Sequence, residues 1–165
     1  MKLRDVCRIR YGKDHKTLAD GPVPVFGSGG IIRHVERPLC TKPSVLIPRK
    51  GSLGNLFYVD EPFWTVDTLF WTDIDERVVL PKYLYYLLST KNLTDLNVGT
   101  AVPSLNTEVL YEIELGIPSL EIQTSIVSIL HSLDKKVKVN QRVNDYLAEL
   151  PRGLLASTIP CFKLS

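Results

Sequence analysis

Four polar segments that contain glycine, all within the first 118 residues, carry side chains suited to binding nucleic acid. Glycine lets a phosphate approach the backbone, hydroxyl groups bind phosphate oxygens, and arginine, lysine, histidine and asparagine hydrogen-bond base edges. An ordinary turn is the alternative role for such segments, notably for Gly54 and Gly99. The segments are RIRYGKDHKTLADG, FGSGGIIRH, LIPRKGSLGN and NVGTAVPSLN. The candidate DNA-binding residues are Arg10, Lys13, His15, Lys16, Ser28, Gly29, Gly30, Arg33, Arg49, Lys50, Ser52, Asn55, Thr100 and Ser104.

The charge of the chain is unevenly distributed along its length. Residues 1–50 hold eleven Lys and Arg against four Asp and Glu, residues 51–118 hold three against ten, and residues 119–165 hold six against four. A basic first third can attract phosphates and release their counterions. The alternative is that the basic segment folds against the acidic one, and charge alone leaves both interpretations open.

The sequence lacks the common motifs of catalysis. It contains no phosphate-binding loop ending in Lys-Ser or Lys-Thr, no GxGxxG, no HExxH, no GxSxG and no Asn/Asp-Pro-Pro-Tyr/Phe motif of amino-methyltransferases. Asp73, Asp75 and Glu76 occur together in TDIDERV, where a solvated loop is a better interpretation than a metal-dependent nuclease centre. We therefore expect no catalytic residues.

Cysteine usage and hydropathy exclude several further classes. Cys7, Cys40 and Cys161 are widely spaced and form no CxxC pair, so we expect reduced thiols and no zinc site. The apolar runs are shorter than a membrane span, and the N-terminal MKLRDVCRIR lacks the apolar stretch of a signal peptide. These features predict a cytoplasmic protein without a metal, a cofactor or a membrane partner.

The candidate residues lie between short apolar runs that predict a β-rich domain over residues 1–118. These runs are β-branched or aromatic, are bounded by Gly, Pro, Asp or Asn, and are typical of strands: VPVFG, SVLIP, NLFYV, TLFWTDI and YEIELGI. LPKYLYYLLSTKN predicts a helix over about residues 82–89, and SLNTEVLYEI a further helical turn. The fold class is α+β.

Residues 119–150 predict one long helix. Ser119 suits the N-cap, Glu121 suits the positive end of the helix dipole, and nothing breaks the pattern before Pro151. A helix of roughly 30 residues is about 45 Å long, which exceeds a domain of this size. Its apolar seam, typical of a coiled coil and interrupted by one polar residue, consists of Ile122, Ile126, Ile129, Leu133, Val137, Asn140, Val143, Leu147 and Leu150. Residues 151–165 are a tail, either loosely ordered or a second contact.

Several segments, which follow one another along the chain in the family's order, make the chain resemble the DNA specificity subunits of type I restriction-modification systems. The most specific are the strand ending in Pro118, the helix start with Leu120, Glu121 and Gln123, and the later Leu-Asp-Lys step at residues 133–135. The other matching segments are KLRDVCRIRYGK, PVFGSGGII, SVLIPRKGSLGNLFYVDEPFWTVDTLFW, YLYYLLSTKNL and NVGTAVPSLNTEVLYEIELGIPSL.

The resemblance implies a non-catalytic subunit with a target recognition domain that reads half of a split double-stranded DNA site. The helix would pair antiparallel with a second such helix and dock modification subunits, which bind S-adenosylmethionine and methylate adenine. A motor-nuclease subunit could join them. Members of this family usually carry two recognition domains and two helical regions, whereas this sequence has one of each. A half-length subunit of this kind implies a homodimer that reads an interrupted palindrome.

Two other functions remain open at the level of sequence. One is a protein-interaction or recombination-donor fragment whose helix competes for other specificity subunits and which has no DNA selectivity of its own. The other is a nuclease that uses Asp73, Asp75 or Glu76, against which the missing motifs argue.

Overall fold

The computed structural model describes the backbone of residues 1–158 and the side chains of residues 1–147. The chain forms two compact units, Met1–Thr124 and a second that begins at Ser125. This boundary falls six residues after the predicted start of the helix, so the division at residue 118 stays a prediction. Strands and short helices make up the first unit and one long helix follows, which confirms the predicted α+β class.

The described residues contain seven strands, and four of them match strands that the sequence predicts. The strands are β1 (Cys7–Tyr11), β2 (Val23–Gly27), β3 (Gly30–Val35), β4 (Ser44–Pro48), β5 (Phe57–Val59), β6 (Trp64–Thr65) and β7 (Leu69–Ile74). Four of the five predicted strands form, as β2, β4, β5 and β7. The sequence did not predict β1, β3 and β6 as strands.

Two sheets build the first unit. An antiparallel sheet has the order β1-β7-β4-β5, and a smaller one has the order β3-β2-β6, in which β2 and β6 are parallel. Leu46, Val59, Phe63 and Leu69 form a core cluster at the larger sheet. A second cluster at the smaller sheet includes Val25, Val35 and Trp64. These clusters stabilise the strands whose ends carry most of the candidate residues.

Short helices follow the last strand. Helix α1 spans Pro81–Ser89, which confirms the predicted helix over residues 82–89, and its proline occupies the first turn, where a missing N–H costs nothing. Helix α2 spans Thr107–Tyr111 and begins where the Asn106 side chain accepts a hydrogen bond from the Val109 amide. Two 3-10 helices span Leu3–Asp5 and Leu93–Leu96.

The predicted strand over residues 111–117 is wrong. Helix α2 occupies its first residue, and the rest forms an isolated bridge between Glu114 and Lys2. The Leu3 amide donates to the Ile113 carbonyl at 2.9 Å, and the Leu115 amide donates to the Met1 carbonyl at 2.7 Å. The partner of this segment is the short N-terminal end of the chain, which turns into a 3-10 helix and cannot extend a ladder.

Helix α3 spans Leu120–Thr158 and therefore continues beyond its predicted end at residue 150. A proline inside a helix removes a hydrogen bond and costs about 3 kcal/mol, and the predicted stop rested on that cost. Leucine and alanine, both strong helix formers, flank Pro151 and Gly153 in the sequence, and the helical backbone runs through both of these poor helix formers. The predicted tail over residues 151–165 is helical to Thr158, and its last seven residues lie outside the described part. No helix among the described residues is long and apolar enough to cross a bilayer.

Gln123 anchors the first turn of α3 within the first unit. Its side chain is fully buried. The Leu80 amide donates to its Oε1 at 2.8 Å, and its Nε2 donates to the carbonyls of Val78 at 3.0 Å and Pro118 at 2.9 Å. Three partly buried backbone groups thereby gain a hydrogen-bond partner.

The substitution Gln123→Ala is expected to lower the free energy of unfolding by about 1–3 kcal/mol, because it leaves these partly buried backbone groups without this hydrogen-bond partner. Urea denaturation of the full chain measures this change. Gln141 lies exposed on the same helix, and Gln141→Ala is the matched control, with an expected change below about 0.5 kcal/mol. Equal effects of the two substitutions would contradict the anchoring role of Gln123.

Candidate nucleic-acid interface

One end of the larger sheet brings Tyr11 and Arg49 together. Tyr11 ends β1 opposite Phe70, and Arg49 follows the end of β4, where Pro48 pairs with Leu69. The Arg49 guanidinium carbon lies 5.3 Å from the centre of the Tyr11 ring. This cation–π contact fixes the arginine at the rim of the sheet, next to a tyrosine that is half exposed.

The segment Arg49–Asn55 is held on one side by the turn between β2 and β3. Asn55 Nδ2 donates to the Ser28 carbonyl at 3.2 Å. Gly51 has a φ of +88°, and a Cβ atom at this position would lie 3.8 Å from Ser28 Oγ. Gly51 therefore allows the backbone to turn next to the hairpin, a conformation that other residues rarely adopt.

The segment Asn97–Ser104 contacts the other side of Arg49–Asn55. The Leu105 amide donates to the Arg49 carbonyl at 2.9 Å, and the Gly51 amide donates to the Pro103 carbonyl at 3.0 Å. Lys50 and Ser104 form an isolated β-bridge. Three of the four segments singled out in the sequence thus meet. We call the surface formed by residues 28–30, 49–55 and 97–104 the loop surface.

Asn97 holds the last of these segments in shape. Its Oδ1 accepts hydrogen bonds from the Gly99 amide at 2.9 Å and the Ser104 amide at 2.8 Å, and its Nδ2 donates to the Gly99 carbonyl at 3.0 Å. The Val98 amide donates to the Ser104 carbonyl at 2.9 Å. Thr100 lies exposed on the resulting loop. Because its own hydrogen bonds hold this loop in shape, the loop loses little conformational entropy when a partner binds its tip.

The substitution Gly99→Ala is expected to disrupt this loop, because the added Cβ would lie 2.0 Å from the Val102 carbonyl oxygen and 2.6 Å from Ser104 Oγ. The midpoint of thermal unfolding should fall by several degrees, and the Ser104 amide should lose protection from hydrogen exchange. Gly54→Ala is the control, since a Cβ there meets nothing within 4 Å. A Gly99→Ala variant as well protected as Gly54→Ala would show that the loop does not depend on this close packing.

Residues 13–16 follow β1 and lie beside the smaller sheet. Trp64 Nε1 donates to the Lys13 carbonyl at 2.9 Å, and the Lys13 amide donates to the Thr65 carbonyl at 2.8 Å. The side chains of Lys13 and Lys16 are exposed, whereas His15 is half-buried and its Nδ1 makes no hydrogen bond. His15 and Lys16 line an open pocket of about 490 Å³ with Ile32, Val66 and Asp67.

Asp67 connects this pocket to the loop surface. Arg49 Nη1 donates to the Asp67 carbonyl at 3.2 Å, and Asp67 is also one of the residues that line the pocket. The exposed lysines at residues 13, 16 and 50 and the half-buried Arg49 therefore belong to neighbouring parts of the first unit. Such a cluster is typical of a surface that binds phosphates.

Some candidate residues have other partners or separate positions. Arg33 Nη2 donates to the Asp20 carboxylate at 2.7 Å and to the Leu18 carbonyl at 3.1 Å. Its half-buried side chain thus ties β3 to the preceding loop. Arg10 lies exposed on β1, opposite Trp71 in the ladder. Its DNA-binding role stays a prediction, as do the roles of the other candidates.

Sequence reasoning missed Asn97 and Asp67 and left Tyr11 out of the candidate set. Asn-x-Gly at residues 97–99 is a recognisable signal, since an asparagine side chain often hydrogen-bonds the backbone two residues later. For Asp67 the sequence carries no signal, because its contribution is a backbone carbonyl. Asn106, the last residue of the segment NVGTAVPSLN, caps helix α2.

The carboxylates considered for a nuclease centre have a different environment. The Arg77 guanidinium hydrogen-bonds the Asp75 carboxylate through Nε and Nη2 and lowers its pKa to about 2. Asp73 lies on β7 opposite Arg8. Among the residues with described side chains, no three His, Cys, Asp or Glu residues lie close enough together to hold a metal ion.

The Cys7 thiol is held in its protonated form. Burial, and to a smaller extent the negative charge of Asp73, raises the pKa of this thiol to about 12.

The second unit presents the predicted apolar seam. Ile129, Leu133 and Val137 are 62%, 49% and 54% exposed. Val143 and Leu147 are exposed as well, Asn140 lies among them with an exposed side chain, and Ile126 is half-buried. Ile122, in the turn that belongs to the first unit, is also exposed. The side chain of Leu150 lies outside the described part.

Relatives and solved structures match most of the chain. A type I specificity subunit of Mycoplasma pneumoniae is 29% identical over 144 residues, which cover 81% of this chain and 47% of that protein. The crystal structure of an S subunit from M. genitalium superposes with a TM-score of 0.72 at 17% identity and covers 91% of this chain and 44% of that one.

A further solved structure concerns complex assembly and conformational transition of the type I restriction-modification system. It matches with a TM-score of 0.69 at 20% identity and covers 92% of this chain and 42% of that chain. At such identities the two structures show a shared fold. The chain spans less than half the length of each of these proteins.

The family model described as the type I restriction modification DNA specificity domain matches residues 1–149. This match covers nearly the whole chain and agrees with the relatives and with the shared fold. The resemblance found in the sequence is confirmed, and the chain belongs to the type I restriction-modification DNA specificity family.

Proposed function

We propose that this chain reads one half of a bipartite double-stranded DNA target as a specificity subunit of a type I restriction-modification system. The observation that carries the proposal is the loop surface, on which three separate segments of the sequence meet around Arg49 and Lys50. The N-terminal two thirds of the chain form the target recognition domain. Its residues bind DNA and catalyse no reaction.

The loop surface offers both kinds of contact that a DNA reader needs. Lys50 and the neighbouring lysines Lys13 and Lys16 bind phosphates and position the duplex, since they are exposed cations near the sheet end. Arg49, held by Tyr11 and the Asp67 carbonyl, presents a guanidinium in a fixed position. A fixed guanidinium suits bidentate recognition of a guanine edge in the major groove.

The long helix pairs two copies of the chain. Its exposed apolar seam repeats every three or four residues, as in helices that bury such a seam against a partner helix. A second copy of the chain supplies an identical seam, and a twofold axis then relates two recognition domains. Such a homodimer binds two identical half-sites separated by a spacer of fixed length.

The partners in the cell follow from the family. The helical unit docks the methyltransferase subunits, which carry S-adenosylmethionine, so this chain needs no cofactor of its own. A motor-nuclease subunit joins the assembly when DNA is cut. A protein that shares the fold of this chain was solved in work on complex assembly of the type I system, which supports the proposal that this chain assembles with other subunits.

Selection from a library of random duplexes tests the DNA-reading function. The chain, assembled with methyltransferase subunits of its own system, is expected to enrich one split sequence with two inverted half-sites. Binding should weaken steeply as salt rises, because phosphate contacts release counterions. Normal assembly with no enriched sequence would contradict the proposal and favour the interaction or recombination-donor fragment.

A further inference from the structure

Two consecutive isoleucines on strand β3 are both exposed. In a regular strand successive side chains point to opposite faces, so one of two neighbours is usually buried in a sheet packed on one side. Ile31 and Ile32 are 56% and 54% exposed. In the ladder with β2, Val25 pairs with Arg33 and Phe26 with Ile31, so Ile32 is the extra residue of a β-bulge. A bulge redirects side chains and often lies at a functional site.

The surroundings of these isoleucines are polar and carry charges of both signs, since Asp14, Lys16 and Asp67 line the same pocket as Ile32. Ile31 adjoins the turn at residues 28–30, which belongs to the loop surface. Ile32 lines the pocket that His15, Lys16 and Asp67 also line. Its Cγ2 atom lies 3.3 Å from the position that a Cβ atom would take at Gly27. The two side chains thus form a small apolar patch, the isoleucine patch, among the residues proposed to contact DNA.

We propose that the isoleucine patch contacts the C5-methyl group of a thymine in the major groove and thereby specifies an A·T pair in each half-site. This inference rests on the proposed DNA-reading function. The thymine methyl is the apolar group that the major groove presents, and apolar side chains recognise it. The cations at residues 13, 16, 49 and 50 complement the phosphates on either side of the groove.

The size of the patch favours this occupant over a protein. Stable protein interfaces bury about 800 Å² on each partner, which two side chains cannot supply. A methyl group needs only one or two apolar contacts. The glycines at residues 27, 29 and 30 leave space around the patch, since a Cβ at Gly29 or Gly30 would meet nothing within 4 Å. A base edge can therefore approach closely.

Replacing thymine by uracil tests the inference, because it removes the methyl group and changes no hydrogen-bonding group. The site is first selected from a random duplex library by the chain assembled with its methyltransferase subunits. Synthetic duplexes then carry uracil at each required thymine in turn. The wild-type assembly is expected to bind about fourfold more weakly when one particular thymine is replaced, as loss of one buried methyl group predicts.

The double variant Ile31→Ala/Ile32→Ala provides the second measurement. It is expected to bind the thymine and uracil duplexes with equal affinity and to lose its preference at that one position, while it keeps the preference at the others. Val139→Ala removes an exposed aliphatic side chain from α3, outside the seam, and should preserve the fourfold difference. Both isoleucines are exposed, so their replacement leaves the core intact.

The outcomes separate this inference from the function on which it rests. A selected site without a required A·T pair, or one bound equally well with uracil at every position, contradicts the isoleucine patch as a methyl reader and leaves the DNA-reading function standing. A fourfold uracil effect that persists in the double variant also contradicts it. Failure to select any sequence contradicts the DNA-reading function, and the inference falls with it.

Discussion

Replacing Arg49 and Lys50 together with glutamine is expected to weaken binding of the assembly to its duplex at least tenfold at physiological salt. Both residues lie at the centre of the loop surface, where neighbouring segments hold their backbones. Each cation that contacts a phosphate contributes about 0.9 to the slope of log affinity against log salt. Since Lys50 is the phosphate contact of this pair, titrations at several salt concentrations should show a slope reduced by about one per recognition domain.

A charge-matched control separates these contacts from net charge. Arg77 follows the end of β7 that is remote from Arg49. Lys91 lines a pocket with the N-terminal residues Met1 and Lys2. The variant Arg77→Gln/Lys91→Gln removes the same two charges and should change the salt slope little. If Arg49→Gln/Lys50→Gln leaves binding and slope intact, the phosphate contacts lie elsewhere on the domain.

The substitution Leu133→Asp is expected to convert a dimer into a monomer. Leu133 lies in the middle of the apolar seam and is half exposed in the single chain. In a paired helix its replacement would bury a carboxylate from each copy without a partner, which costs several kcal/mol. Light scattering should give a mass of twice 18.6 kDa for the wild type and 18.6 kDa for the variant.

Ser128 provides the control for this experiment. It is exposed on α3 and lies away from the seam. Ser128→Asp therefore introduces the same charged residue, with the same low helix propensity, as Leu133→Asp, but outside the contact between the two helices. This variant should remain a dimer. A dimer that persists in Leu133→Asp would show that the copies associate through another surface, and a monomeric wild type would direct the search to a different protein as the partner of the helix.

The sequence predicts strands well where apolar runs end at glycine or proline. VPVFG and SVLIP correspond to β2 and β4 residue for residue. Strand β1 was missed because its alternate residues Arg8 and Arg10 made the segment resemble a polar loop. Cys7 and Ile9 between them are buried, so a period of two was present in the sequence but short.

Contacts between distant segments limited the prediction elsewhere. The segment at residues 111–117 has the composition of a strand, yet its partner Lys2 is followed directly by the 3-10 helix Leu3–Asp5, so a single bridge forms. Pro151 and Gly153 both carry a local cost to a helix, but the leucines and alanines that flank them favour the helix and α3 continues. Local propensity is overridden in both cases by what surrounds the segment.

The candidate site could be predicted in its segments and not in its geometry. Residue types in all four segments pointed to one chemistry, and the fold brings three of these segments together. No pattern in the sequence indicates that Arg33 pairs with Asp20, or that the Asp67 carbonyl orients Arg49. The first contact joins residues that are 13 positions apart, and the second joins residues that are 18 positions apart. Both therefore depend on how the chain folds.

The most direct test of the DNA-reading function is a map of methylated adenines in a host that lacks such methylation and expresses this chain with the methyltransferase subunits of its system. If the chain reads DNA as proposed, the map should show one new methylated motif, an interrupted palindrome with two identical half-sites, and this motif should disappear when the chain is omitted. Active methyltransferase subunits that produce the same motif without this chain, or that produce no motif with it, would contradict the account.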